Sequence, residues 1–240
     1  MFRFMLRPHW IGLSVFAIAV VAICARLGVW QLDRLEGRRE INRRYAAGLE
    51  APPVSLETLL ERGGSLAYRR AVATGRFDPA REVILYGRTL DGRSGNHVLT
   101  PLVLADGRAI IVDRGWVPFE MDHPPLAEAA PPEGDVDVAG TLFADQPGGA
   151  GEITAGEDRV TIVRTVDIEA IARDVPYQLV PWFLQLRTQS PTATELPVPE
   201  PPPVLTEGPH LSYAFQWFAF AAIGAVGYVI LVARQVRDEP

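Results

Sequence analysis

Two long apolar segments, one near each end of the chain, constrain the fold more than any other feature. The first runs from Trp10 to Trp30 and the second from Leu211 to Arg234. A helix rises about 1.5 Å per residue, so each segment is long enough to cross a bilayer core about 30 Å thick. The tryptophans that bound the first segment fit the aromatic belt of a membrane interface. The sequence therefore predicts two transmembrane helices.

Each segment carries a further signal about its role. A cleaved signal peptide is the competing interpretation of the first segment, but the apolar run is too long and no small-x-small cleavage site follows it. The second segment contains Ala221, Gly224 and Gly227 at spacings of three, which favours close packing against another helix.

The residues between the two segments are rich in strand-forming runs. About seven short runs, among them Tyr68 to Phe77, Glu82 to Leu90 and Val160 to Val166, are separated by turn residues such as Asp106-Gly107. The predicted fold is a membrane α+β protein in which two transmembrane helices flank a β-rich, mostly antiparallel extracytoplasmic domain, either a small sheet or a partial barrel. The predicted segments are a cytoplasmic tail (1–9), a first transmembrane helix (10–30), a helical stalk (31–49), the β-rich domain (50–195), a proline-rich spacer (196–209), a second transmembrane helix (210–234) and a cytoplasmic tail (235–240).

Charge and cysteine content exclude several classes of function. The net charge is −6, which argues against a nucleic-acid partner because phosphate binding needs a basic surface. Cys24 is the sole cysteine, so neither an intramolecular disulfide nor a CxxC copper site can form.

Arginines are more numerous beside the inner ends of the two segments than beside the termini, which opposes cytoplasmic tails. A domain of this length can nevertheless cross the membrane regardless of charge, and we favour the tails inside.

Catalytic motifs are absent from the sequence, and one histidine has an unusual position. No HExxH, CxxC, GxSxG or P-loop pattern occurs, so we expect a protein that is not an enzyme. His210 opens the second apolar segment, with Tyr213 and Trp217 in the following turns. A neutral imidazole is a good axial ligand for haem iron, and the aromatic side chains would give it apolar cover. An interfacial histidine that bonds water or lipid head groups is the commoner role, and the residues alone leave both open.

Five motifs in order resemble one family, the surfeit-locus cytochrome c oxidase assembly proteins. They are GVWQLDRLEGRREIN, YRRAVATGRFD, GNHVLTPLVL, IIVDRGWVP and PHLSYAFQWFAFA. The resemblance implies an assembly factor for haem–copper oxidase that assists insertion of haem a into the catalytic subunit by transient haem binding. It implies His210 as the iron ligand beside Tyr213 and Trp217. It also implies a cell-membrane protein with two spans, its tails inside and its central domain outside.

The resemblance also suggests partners and a second motif. The implied partners are the oxidase catalytic subunit and the lipid bilayer, with haem a synthase as a further candidate. The RGW motif corresponds to Arg114, Gly115 and Trp116, for which a structural turn and a binding role are equally open.

Two other functions remain as alternatives. A cofactor-free membrane scaffold that stabilises an oxidase assembly intermediate would share every feature except a need for His210. A membrane-anchored periplasmic enzyme is opposed by the missing set of nucleophile, base and acid.

Overall fold

The chain forms two compact units. The computed structural model describes residues 6–148, 161–192 and 195–238, so the ends of both predicted tails, Val160 of one predicted strand, and residues 149–159, 193 and 194 of the predicted domain lie outside the described residues. The first unit combines Met1–Arg44 with Val204–Pro240, and the second is Tyr45–Pro203.

Two long helices make up the first unit. Helix α1 runs from Pro8 to Glu50 without a break at the predicted border between span and stalk, and its last residues belong to the second unit. Helix α4 runs from His210 to Asp238. Both helices are long and apolar enough to cross a membrane, and little of either is buried inside the protein. The two predicted apolar helices are therefore present.

An antiparallel seam joins α1 and α4. Val21 lies beside Gly224, and Ser14 forms a hydrogen bond with Tyr228 at 2.5 Å. A side chain at Gly28 would come within 2.6 Å of the Phe218 ring, so the missing Cβ permits this close approach. Buried and half-buried positions recur at alternating spacings of four and three, which is the pattern of two packed helices. These positions are Trp10, Ser14, Ala17, Val21, Cys24, Gly28, Gln31 and Leu35 on α1, and His210, Ala214, Trp217, Ala221, Gly224 and Tyr228 on α4.

In the residues that the structure describes, the second unit is an eight-stranded sheet with two short α-helices. The strands are β1 (Val54–Ser55), β2 (Arg70–Phe77), β3 (Val83–Leu90), β4 (Arg93–Leu104), β5 (Ala109–Pro118), β6 (Asp135–Ala144), β7 (Ile162–Val163) and β8 (Leu179–Ser190), with α2 (Leu56–Arg62) and α3 (Ile168–Ala172) between them. The strand order is β1-β2-β6-β8-β5-β4-β3-β7, and β2 also pairs with β4. That extra pairing closes β2, β6, β8, β5 and β4 into a small barrel.

The sheet is mixed, so the expectation of a mostly antiparallel sheet holds only in part: in the described residues five strand pairs are antiparallel and three are parallel. The pairs β1–β2, β3–β7 and β5–β8 are parallel. Strands β5 and β8 are neighbours in the wall of the barrel, and they are far apart in the sequence. Parallel neighbours need such a long crossover connection, and side-chain alternation within a strand carries no information on the direction of its neighbour.

Alternation along the strands places apolar clusters on both faces of the sheet. One apolar cluster contains Leu102, Ile110, Val112, Leu142 and Leu184, together with side chains from α2. A second cluster takes the opposite sides of the same strands and is covered by α3. Side chains that alternate between faces thus place apolar residues on both sides of the sheet.

Two hairpins use the turn residues that the sequence displays. Asp106-Gly107 connects β4 to β5, as predicted, with Gly107 at a φ of +83°. Asp91-Gly92 connects β3 to β4 as a two-residue turn, and its φ values of +50° and +77° are both left-handed. Hairpin turns of this type match the twist of the flanking strands but favour Asn, Asp and Gly.

Replacing Gly92 by Ala is expected to lower the free energy of unfolding by about 1–2 kcal/mol, because an alanine Cβ is strained in the left-handed region. Asp91→Asn is the matched control, since Asn tolerates this conformation, and it should leave stability unchanged within error. Urea unfolding of the detergent-solubilised chain, followed by tryptophan fluorescence, measures both. Equal midpoints for Gly92→Ala and the parent chain would contradict the assigned turn.

Candidate functional site

His210 is the first residue of α4 and is positioned by a tight turn. Gly208 has a φ of +69°, which suits glycine, and Pro209 follows it. The Tyr213 amide and the Ser212 hydroxyl both donate to the Pro209 carbonyl, at 3.1 and 2.8 Å. The helix therefore starts abruptly, and its first side chain lies at the end of the seam with α1.

The imidazole of His210 contacts Gln31 of α1. His210 Nδ1 donates a hydrogen bond to Gln31 Oε1 at 2.9 Å. Gln31 is only 9% exposed, whereas His210 is half-buried. In the described part of the chain, the second ring nitrogen, Nε2, has no hydrogen-bond partner. One side of the imidazole is thus held by protein and the other is available.

The other two predicted cofactor residues lie on the same helix. Tyr213 and Trp217 follow His210 at spacings of three and seven, which brings all three side chains to one side of α4 within two turns. Tyr213 is 46% exposed, and Trp217 packs edge-on against Phe220 at a ring distance of 6.0 Å. The structure therefore collects the three residues into one aromatic stripe that begins at the histidine.

The sequence pattern places Gln31 at the start of the helical stalk (31–49), so Gln31 is not among the predicted site residues. Its signal was available: Gln31 follows Cys24 by seven residues and Gly28 by three, so it continues the apolar seam with a polar side chain. A polar residue at such a position needs a partner in the facing helix.

The chain just before α4 is fastened to α1 as well. Arg39 forms a two-pronged ion pair with Glu207, at 2.8 and 3.0 Å, and Asn42 donates to the Thr206 carbonyl at 3.0 Å. Both partners of the ion pair are largely exposed, so its contribution to stability is small. These contacts hold residues 206 and 207, which lead into α4, against α1.

Arg114 of the RGW motif lies in the second unit, in a buried ion pair. Its Nη1 donates to Glu82 Oε1 at 3.0 Å, and both side chains are fully buried. Arg114 Nη2 also donates to the Ala129 carbonyl, and Glu82 accepts from the Thr100 hydroxyl and the Leu126 amide. Burial raises the pKa of Glu82 and lowers the pKa of Arg114 to about 10. For each group the loss of hydration outweighs the attraction of its partner.

Gly115 and Trp116 hold the segment that follows β8. Trp116 exchanges two backbone hydrogen bonds with Val198, at 2.8 and 2.9 Å. Gly115 has a φ of +118°, and a Cβ there would lie 2.1 Å from the Val198 carbonyl oxygen. Trp116 is itself 3% exposed. These contacts give the RGW motif a structural role in the second unit.

A second histidine lies in a cluster of polar groups. Oxygen or nitrogen atoms of His97, Asp113 and Glu200 lie within 4.8 Å of one another, a donor set that suits a divalent cation. Each group already has a protein partner: His97 bonds Asp113 at 3.0 Å, Asp113 accepts from the Gly115 amide, and Glu200 accepts from Gln185 at 2.6 Å. These hydrogen bonds join His97 on β4 to Asp113 on β5, and they attach Glu200, in the segment after β8, to Gln185 on β8.

Comparison with known proteins finds similarity to one family. The sequence model of the SURF1 family matches residues 18–222. An uncharacterized SURF1-like protein of Mycobacterium tuberculosis is 31% identical over 98% of this chain and 87% of its own length. SURF1-like proteins of Rickettsia felis and Monosiga brevicollis are 24% and 26% identical, over 90% and 92% of this chain and 95% and 87% of their own lengths. The matched range includes His210, Gln31 and the RGW motif.

Replacing Arg114 by Met is expected to lower the free energy of unfolding by about 3–5 kcal/mol, because it leaves the Glu82 carboxylate buried without its counter-charge. The double variant with Glu82→Leu should recover most of that loss. The deficit of Arg114→Met should also shrink at mildly acidic pH. Loss of the arginine raises the already raised pKa of Glu82 further, so protonation relieves the unpaired charge as the pH falls.

Urea unfolding at neutral and mildly acidic pH measures these differences. A double variant as unstable as Arg114→Met would mean that the guanidinium stabilises the fold through contacts other than Glu82.

Proposed function

The chain belongs to the SURF1 family, and from this premise we propose that it is an assembly factor for haem–copper cytochrome c oxidase that assists insertion of haem a into the catalytic subunit. It does so by binding haem transiently, with His210 as the iron ligand. The observation that carries the proposal is the imidazole at the start of α4, bonded to protein through Nδ1 and without a partner at Nε2 in the described ranges.

The residues around His210 fit a haem ligand. Haem iron, when bound, would accept the lone pair of a neutral imidazole nitrogen. Nε2 is such a nitrogen, and a Cβ at the neighbouring Gly208 would lie 3.7 Å from it. Tyr213 and Trp217 supply apolar surface on the following turns. His210 itself is half-buried, so part of its ring is accessible from outside the seam.

A single histidine also suits transient binding. Haem held by His210 alone would be easier to release than haem held by two protein ligands. The role needs no catalytic step of its own, so we assign the chain no enzymatic activity.

The two helices support a membrane location. Most of their apolar side chains point away from the protein: Phe215 is 75% exposed and Ile223 is 67% exposed. Such surfaces suit lipid or other membrane helices. We place the chain in the cell membrane with two spans, both termini in the cytoplasm and the β-rich unit outside. Its partners in this scheme are the lipid bilayer, the oxidase catalytic subunit and haem a synthase.

The test is purification in mild detergent from cells that make haem a. The parent chain is expected to carry a haem absorption band, and His210→Ala should lose most of it because the axial nitrogen is gone. His123→Ala is the matched control: His123 lies in an exposed loop, and its removal should leave the band unchanged. Circular dichroism checks that each variant is folded.

Two outcomes would contradict haem binding at His210. An equal haem band in His210→Ala would remove the histidine as ligand. A colourless parent chain that still co-purifies with oxidase subunits would favour the cofactor-free scaffold.

A further inference from the structure

Gln31 is a buried amide in a helix seam whose other positions between Trp10 and Leu35 are mostly apolar or small. A primary amide costs free energy at such a position unless its groups are hydrogen-bonded. Its Oε1 accepts from His210 Nδ1 at 2.9 Å, across the seam to the opposite helix. Leu, Ala or Met would pack there without this need. The polar residue therefore has a specific partner rather than a general packing role.

The direction of this hydrogen bond fixes the proton on the imidazole. A carbonyl oxygen only accepts, so the proton of the bond belongs to Nδ1. A neutral imidazole carries one ring proton, and with that proton on Nδ1 the lone pair is on Nε2. Gln31 thus selects the tautomer in which Nε2 can donate to a metal.

The surroundings of Nε2 agree with this assignment. Gly208 lies beside that edge of the ring, and a Cβ at this position would be 3.6 Å from His210 Cδ2 and 3.7 Å from Nε2. A longer side chain there would cover the nitrogen. The turn before α4 therefore leaves the metal-binding edge of the ring uncovered, while Gln31 occupies the opposite edge.

The position of Gln31 itself is set by packing. Leu35 follows it on the seam and is 4% exposed, and Gly28 precedes it in contact with Phe218. Helix packing of this kind leaves the amide little freedom to turn away. The ring plane of His210 is then fixed from two directions, by its own helix and by Gln31.

We infer that Gln31 is the positioning residue for the haem-iron ligand. Its side-chain carbonyl accepts the Nδ1 proton of His210 and orients the ring. This hydrogen bond also makes Nε2 a stronger electron-pair donor to iron. The inference rests on the proposed function, because it needs His210 to bind iron. Partners of this kind on ligand histidines typically change metal affinity by about 10–100-fold when removed.

The experiment compares the parent chain with Gln31→Leu, Gln31→Glu and His210→Ala in mild detergent, each titrated with haem a. The readouts are the dissociation constant and the iron midpoint potential. Gln31→Leu should bind about 10–100-fold more weakly and raise the potential, because a less electron-rich imidazole stabilises ferric iron less. Gln31→Glu keeps a hydrogen-bond acceptor for Nδ1 and makes it stronger. This variant should still bind haem, and its iron midpoint potential should be lower than that of the parent chain.

Gln216→Leu is the matched control. It removes an exposed amide on α4 that takes no part in the seam, and it should change neither readout. Helical content by circular dichroism confirms that the variants retain both helices.

The outcomes separate the two proposals. If the parent chain binds haem and His210→Ala does not, an unchanged potential in Gln31→Leu or a parent-like potential in Gln31→Glu would overturn the role of Gln31. If Gln31→Leu binds too weakly for a potential to be measured, Gln31→Glu alone decides. If the parent chain and His210→Ala bind haem equally, the histidine is not the ligand, and the role of Gln31 is refuted together with it.

Discussion

The hydrogen bond between Gln31 and His210 is the contact on which the candidate site in the first unit depends, because it holds the imidazole in place. The buried amide of Gln31 would cost free energy without a partner at the end of an apolar seam, and the half-buried His210 supplies that partner. The alternating spacing of seam residues brings the two side chains opposite each other, and Ser14 with Tyr228 forms a second polar contact farther along the pair. Gln31 lies 17 residues from Ser14, about 25 Å along the helix, which is close to the thickness of a bilayer core. The two polar contacts thus lie at either end of a mostly apolar stretch of about that length, which contains Arg26.

The first residue of the second unit and its last segment both bind to strands of the barrel. Arg187 on β8 donates to the Tyr45 hydroxyl at 3.2 Å and to the backbone carbonyl of Glu200. Trp116 pairs with Val198 through the backbone. The segments by which the chain enters and leaves this unit are therefore both attached to the barrel. These contacts hold both ends of the unit in place, although long connections separate some of its strands.

Much of this architecture could be predicted from local sequence pattern, because apolar length and side-chain alternation act over a few residues. Both apolar helices, the β-rich unit and the Asp106-Gly107 hairpin follow from such signals. The parallel pairing of β5 with β8 could not be predicted in this way, since it depends on two strands separated by a long connection. The burial of Arg114 against Glu82 has the same cause: each residue looks like an ordinary charged residue until the barrel brings them together.

The candidate site shows the same division between local and distant information. His210, Tyr213 and Trp217 share one helix, so their spacing alone places them on one side. Gln31 is far away in the sequence, and only the antiparallel pairing of the helices identifies it as the partner of the histidine. That contact also bears on the two roles that the residues left open. An interfacial histidine solvated by water would have no need of a buried amide, whereas a metal ligand gains a fixed tautomer from one. Gln31 therefore adds a reason to favour the ligand role that His210 alone does not provide.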